Sequence, residues 1–323
     1  MGSAYTALAD NAYASVWNPA GLAFVDSVQI AGQHLSYLES INDEYVGSAI
    51  PLGHGGRALG VSAQYLGTGD ITQADINGFH TGTFSAHYGV YSLAYGQKLG
   101  DKLGIGATGK WINAKLSDTS ADAFAGDLGL LYKPQDHWRI AATLTNLGNK
   151  LTFIDQPDSL PSAFHVAAAY QPARQLLVTG EALHSWPSDR FDGRFGLEWR
   201  PMELLALRTG YRTDTMTELS ALAGFSVGMG LQLWGQEFAY AWVPYGDLGT
   251  TQYFSLLMRF GPEAATRRNL IQYQDIRKSK TAGAGGTAAL DPDAVQLMEL
   301  FDETPAHVAS SPGVPAHPAD NTQ

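Results

Sequence analysis

The chain contains no cysteine, which removes disulfide staples, thiolate nucleophiles and thiolate metal sites from consideration. It has no run of about eighteen apolar residues, so no spanning helix is expected. Basic residues are scarce: 20 Lys and Arg stand against 31 Asp and Glu, a net charge of −11, and no basic block stands out. That balance argues against nucleic acid as a partner. Catalytic motifs are missing as well. The nine histidines show no HExxH spacing, and His80 and His87, near one loop, bring no carboxylate with them, so no metal is expected. No GxSxG is found, and no serine with a recognisable base partner. The expectation is therefore no enzyme, no catalytic residue and no cofactor. Met1 and Gly2 lead directly into polar sequence, so an exported protein would here be a mature or truncated form.

What is present is a two-residue rhythm. From Phe191 to Arg200, Phe191, Gly193, Phe195, Leu197 and Trp199 share one face, while Asp192, Arg194, Gly196, Glu198 and Arg200 share the other. Segments of this kind follow one another near 27–37, 44–51, 57–67, 83–99, 103–116, 123–133, 137–146, 162–171, 175–185, 191–200, 203–212, 217–228, 230–242 and 250–260. Their number, about fourteen, is even, as closed bacterial barrels require. Tight turns are expected at His54-Gly55-Gly56, Gly100-Asp101-Lys102, Pro134-Gln135-Asp136, Pro172-Ala173-Arg174, Pro201-Met202 and Gly228-Met229-Gly230, with longer loops at 68–82 and 147–161. Short turns on one side and longer loops on the other match a transmembrane β-barrel, the short side periplasmic. Both termini would then be periplasmic.

Three observations weigh the membrane against a soluble sandwich. Gly is abundant at 36 residues and aromatics reach 11%, suiting bends and interfacial girdles. Phe191 with Trp199, Trp138, Phe238 with Trp242, and Phe260 stand near the ends of apolar faces. In-strand charges fall on the parity opposite the apolar residues, since one on the lipid face costs about 2–4 kcal/mol at the bilayer midplane. The lumen-lining candidates on that parity are Asp127, Arg139, Glu181, Asp192, Arg194, Glu198, Arg200 and Glu237. They read either as a solute path or as an ion-pair network filling the interior, and the network is preferred because buried charges need partners in either case. Gly104, Gly106 and Gly109 spell GxGxxG, but inside an alternating strand. Close backbone packing is therefore expected rather than a dinucleotide site.

Residues 1–26 lack the alternation and carry a Pro-directed turn at Asn18, Pro19 and Ala20. Residues 27–260 hold the strand series, and 261–323 form a tail that is partly helical and irregular at its end. Within the tail, residues 290–303 place Val295, Leu297, Met298 and Phe301 so that they either dock a periplasmic protein as an amphipathic helix or serve as a tether.

The opening AYTALADNAYASVWNPAGLAF resembles the N-terminal plug, or hatch, of FadL-like outer-membrane proteins, with the NPA tripeptide Asn18, Pro19 and Ala20 as its signature. DLGLLYKP at 127–134, TLTNLGNKLTF at 143–153, LPSAFHVAAAYQP at 160–172 and AYAWVPYGDLGTTQYFSLLMRF at 239–260 resemble the PorV/PorQ branch. The resemblance implies an all-β fold, a barrel of about fourteen antiparallel strands closed by a short N-terminal plug, in the bacterial outer membrane. It implies an accessory or shuttle role in protein export or surface attachment, with outer-membrane lipid and a secretion-system or periplasmic protein as partners. The alternative is a FadL-like transporter that takes a hydrophobic small molecule through a plugged lumen.

Overall fold

The computed structural model describes residues 1–37, 41–53, 55–154, 156–186, 188–214, 222–245 and 249–261. Among them, strands β1 (Val28–Ser36), β2 (Asn42–Pro51), β3 (Arg57–Gly67), β4 (Ile71–Ala74), β5 (His80–Phe84), β6 (Ala86–Leu99), β7 (Leu103–Leu116), β8 (Thr119–Gln135) and β9 (Trp138–Gly148) come first. They are followed by β10 (Leu151–Phe153), β11 (Gln156–Asp158), β12 (Ala163–Ala173), β13 (Leu176–Ser185), β14 (Arg190–Met202), β15 (Leu205–Arg212), β16 (Phe225–Leu233), β17 (Gln236–Pro244) and β18 (Thr250–Phe260). Fourteen of these close a single antiparallel barrel, while β4–β5 and β10–β11 form separate two-stranded hairpins. Closure comes from β1 pairing with β18, with Val28 opposite Phe260, so no edge is left exposed.

The alternation becomes two surfaces. Val46, Val61, Leu93, Leu128 and Phe195 project outward and are exposed, whereas Ala58, Ala94, Thr108, Asp127 and Glu198 face inward and are buried. An outer wall of large exposed apolar side chains is what hydrocarbon requires and what water penalises. Aromatic pairs stand on this wall: Trp138 stacks on Tyr170 at 4.4 Å near the short-turn end, and Tyr91 on Trp111 at 5.3 Å toward the loop end. Charges on the outward parity, such as Glu44 paired with His34 and Asp122 accepting from the Trp111 indole, lie toward the loop ends of their strands. The inward rule for charge therefore holds for the middle of the wall and lapses at its rim.

Two features differ from the expectation. The segments 68–82 and 147–161 are partly ordered as the hairpins β4–β5 and β10–β11 rather than being plain loops. Gly228-Met229-Gly230 is not a turn but the middle of β16, and the chain reverses at Trp234 and Gly235, both with positive φ (52° and 80°). The two glycines serve close approach instead. A Cβ on Gly228 would sit 2.7 Å from the Tyr240 carbonyl oxygen, and one on Gly230 3.2 Å from the Arg208 guanidinium. The strand expected at 217–228 thus begins only at Phe225, and residues 215–221 lie outside the described residues, as does the tail from 262 onward with its segment 290–303.

Candidate functional site

Residues 1–25 occupy the lumen. The short helix α1 (Ala14–Trp17) leads through Asn18 into a 3-10 helix, Pro19–Phe24, which then delivers the chain to β1. Asn18 is fully buried and uses its whole side chain. Its amide donates to the carbonyl oxygens of Thr6 (3.1 Å) and Leu130 (3.2 Å), and its Oδ1 accepts from the Ala20 N–H (3.1 Å). One residue thus ties two plug segments to each other and to the wall, while Pro19 starts the 3-10 helix with φ already set. The turn resembling a hatch signature is a structural clamp.

Glycines in the wall make room for it. Gly96, Gly106 and Gly129 lie in direct register across β6, β7 and β8. A Cβ at Gly96 would stand 2.6 Å from the Pro19 carbonyl oxygen, and one at Gly104 2.7 Å from that of Ala20. At Gly106 and Gly129 it would overlap the Asn18–Ala20 turn outright. The GxGxxG run is therefore a seat for the plug, not a nucleotide loop: Gly109, facing outward, has nothing within 4 Å. A second seat lies across the barrel, where Gly196 and Gly210, paired between β14 and β15, receive residues 1 and 2.

Asp10 is the only charged residue in residues 1–25. It accepts from Lys133 Nζ at 2.8 Å and Arg139 NH1 at 3.1 Å. Lys133 also lies over the Phe24 ring, 4.0 Å from its centroid, with Lys98 at 5.0 Å. Burial alone would raise the Asp10 carboxyl, but Arg139 and Lys133 outweigh it and hold the group below its ordinary value of 3.8. A carboxyl depressed on docking stabilises the docked plug above the ordinary value, and that contribution is lost as pH falls through the lowered one. We expect Asp10→Asn to remove ~1–2 kcal/mol of plug docking at neutral pH. In planar-bilayer recordings the wild type should then approach the variant's noise only below pH 3.8. Equal noise at neutral pH would show that the bridge holds nothing.

The eight inward charges named from the sequence all lie on the inner parity, and the structure gives each of them an ion-pair partner. Glu181, whose side chain is wholly buried, accepts from Arg194 NH1 (3.3 Å), contacts His165 Nδ1 (2.8 Å) and accepts the plug's Thr6 N–H (3.2 Å). Arg194 continues to Asp214 at 3.0 Å. Glu198 takes Arg200 and Arg208, both at 2.7 Å, and Arg208 reaches Glu237 at 2.6 Å. Asp127 pairs with Lys110 at 2.6 Å, Arg139 with Asp10, and Asp192 with Arg190 at 3.4 Å near the loop end. Arg208, Lys110, Lys133 and His165 were not singled out from the sequence, although their parity within their strands marks them. Asp10 was signalled by its isolation in the plug, and Trp17 by nothing except its place before the NPA turn.

Among the described residues, the chambers around this packing include three that touch the plug. One of about 190 Å³ lies toward the short-turn end between Tyr5, Leu8, Tyr13, Trp17 and Leu257, with Glu198, Arg208 and Glu237 along its wall. A second, about 340 Å³ and toward the loops, is lined by Gln64, Tyr88, Lys110, Thr145 and His165. The third, about 230 Å³, lies by Arg212, Ser226, Tyr240 and Tyr253. Burial pushes the Tyr5 and Tyr13 phenols well above their ordinary range, so both present neutral hydroxyls. Among the described residues no group of three or more His, Cys, Asp or Glu is placed to hold a metal ion.

Comparison with solved structures establishes the fold. The toluene transporter TodX of Pseudomonas putida superposes with a TM-score of 0.57 at 13% identity, over 77% of this chain and 94% of that one. The monoaromatic hydrocarbon channel CymD does so at 0.53 and 14%, over 77% and 93%. A FadL homologue of Pseudomonas aeruginosa aligns more loosely, at 0.49 and 12%, over 78% and 94%. No family model and no curated protein matches the sequence.

Proposed function

We propose that this chain is a bacterial outer-membrane channel that passes small hydrophobic molecules around a plug that stays in its barrel. The observation that carries the reading is the chamber of about 190 Å³ behind Tyr5, Tyr13 and Trp17. A protein cavity of roughly 150 Å³ with apolar walls suffices to hold a benzene ring. The inner-wall charges support the reading by being paired: Glu198 and Glu237 are balanced by Arg208 and Arg200 along one side of the chamber, leaving the plug's aromatic side for an apolar guest. The exposed apolar wall supports a place in the membrane. TodX, a toluene transporter, and CymD, a monoaromatic hydrocarbon channel, share this fold.

The export-accessory reading rests on the PorV/PorQ-like segments and on the tail, which lies outside the described residues. Nothing in the lumen calls for it.

Cells carrying the barrel in their outer membrane should take up labelled toluene several-fold faster than cells without it. The protein should also migrate differently on gels before and after heating, as folded barrels do. A heat-modifiable barrel in the outer-membrane fraction that leaves toluene uptake unchanged would overturn the channel reading. A stable protein partner copurifying with such a barrel would favour export instead.

A further inference from the structure

Trp17 borders each of the three chambers: the two toward the loops and the one toward the short turns. No other plug residue does. Its backbone is immobilised from both sides. It ends α1, donates its N–H to the Tyr13 carbonyl, and precedes the clamped Asn18. Its side chain is held far less. The ring is partly buried and meets the Tyr5 ring edge-on at 5.6 Å, and among the described residues no hydrogen bond engages the indole N–H. A buried tryptophan ordinarily finds a partner for that group. Here that donor has no protein partner among the described residues, and the residue that carries it lines all three chambers.

We infer that Trp17 is the specificity-determining gate of the lumen. A molecule moves from the loop-side chambers to the chamber behind Tyr5 by displacing the indole ring, while the plug itself remains seated. The inference rests on the channel reading. The clamp at Asn18 and the glycine seats hold the backbone of the plug, so the cheapest motion joining the chambers is rotation of one side chain about its own bonds. The limit on size is the chamber beyond the indole, about 190 Å³ with Trp17 in its wall, little larger than the roughly 150 Å³ that holds one benzene ring. The class of guest follows: a single aromatic ring, bare or with one small hydrogen-bond acceptor for the indole N–H to meet, and not a fused two-ring system.

The test compares uptake of labelled toluene and naphthalene by cells carrying the wild type, Trp17→Ala or Trp17→Phe, each checked for heat-modifiable barrel at equal abundance. The naphthalene-to-toluene ratio should rise about tenfold in Trp17→Ala, the scale on which a filled or emptied pocket discriminates. It should rise less in Trp17→Phe, which keeps an edge contact for Tyr5. Toluene uptake that depends on the barrel, with a ratio unchanged in both variants, overturns the gate and leaves the channel standing. If Trp17→Ala does not fold, an unchanged ratio in Trp17→Phe alone overturns it. Absence of barrel-dependent toluene uptake in the wild type overturns both.

Discussion

Replacing Gly106 by valine is expected to unseat the plug and turn a quiet barrel into a conducting one. Any Cβ at this position overlaps the backbone of Pro19 and Ala20. Backbone cannot rotate away as a side chain does, so either the 3-10 helix lifts or β7 moves. β7 is laddered to β6 and β8 along its whole length, whereas the plug is held to the wall by separate side-chain bonds such as Asn18 to Leu130 and Lys133 to Asp10, so the plug yields. An overlap of this kind costs on the order of 1–3 kcal/mol. That changes the docked-to-displaced ratio by about five- to a hundred-and-fifty-fold. Open-channel events in planar bilayers would report it. Gly109→Val is the matched control: it is three residues along the same strand, faces outward and meets nothing within 4 Å, so it should stay quiet. If both variants conduct alike, loss of glycine in β7 is the cause and the seat is not.

Arg208→Met should be the most destabilising single change in the barrel wall. The guanidinium bonds Glu198 at 2.7 Å and Glu237 at 2.6 Å, and Gly230 leaves the space in which it lies. Removing it strands two carboxylates in the interior. The penalty for breaking a buried pair on one side is about 3–5 kcal/mol. Arg200, 2.7 Å from Glu198, and Arg259, 3.8 Å from Glu237, remain to absorb part of it, so the lower end is expected. The denaturant midpoint of the reconstituted barrel would show the loss. Adding Glu198→Gln and Glu237→Gln to Arg208→Met should recover much of the stability, because no buried carboxylate is then left unpaired and the arginines that lose their partners, Arg200 and Arg259, reach solvent. Failure of the triple variant to recover would mean that the arginine acts by packing, not by charge.

Both changes concern residues that the linear pattern marks unevenly. Arg208 lies on the inner parity of LALRTGYR as clearly as Glu198 does in its own strand, so its lumenal side was legible; that it bridges two glutamates on other strands was not. Gly106 was legible as a site of close backbone packing, though not as to what packs there. The reversal at Trp234 and Gly235 was missed because the pair Gly228 and Gly230, a stronger turn signal by composition, is used for clearance around Tyr240 and Arg208 instead.

The sequence by itself determined that this chain builds two-faced strands, how many of them, which side chains turn outward and that a different segment precedes them. Those properties are local: period-two alternation sets the faces of a strand before it has any neighbour. Tertiary structure decided everything that depends on strand register and on the path of the plug. Glycines from β6, β7 and β8 become one seat because they fall in register, Asp10 finds Lys133 and Arg139 across the lumen, and Trp17 comes to stand where three chambers meet. The Asp10 pairs join residues more than a hundred positions apart, the glycine seat joins three strands to the Pro19 turn, and no spacing along the chain encodes either; they follow only once the barrel has closed and the plug has folded into it.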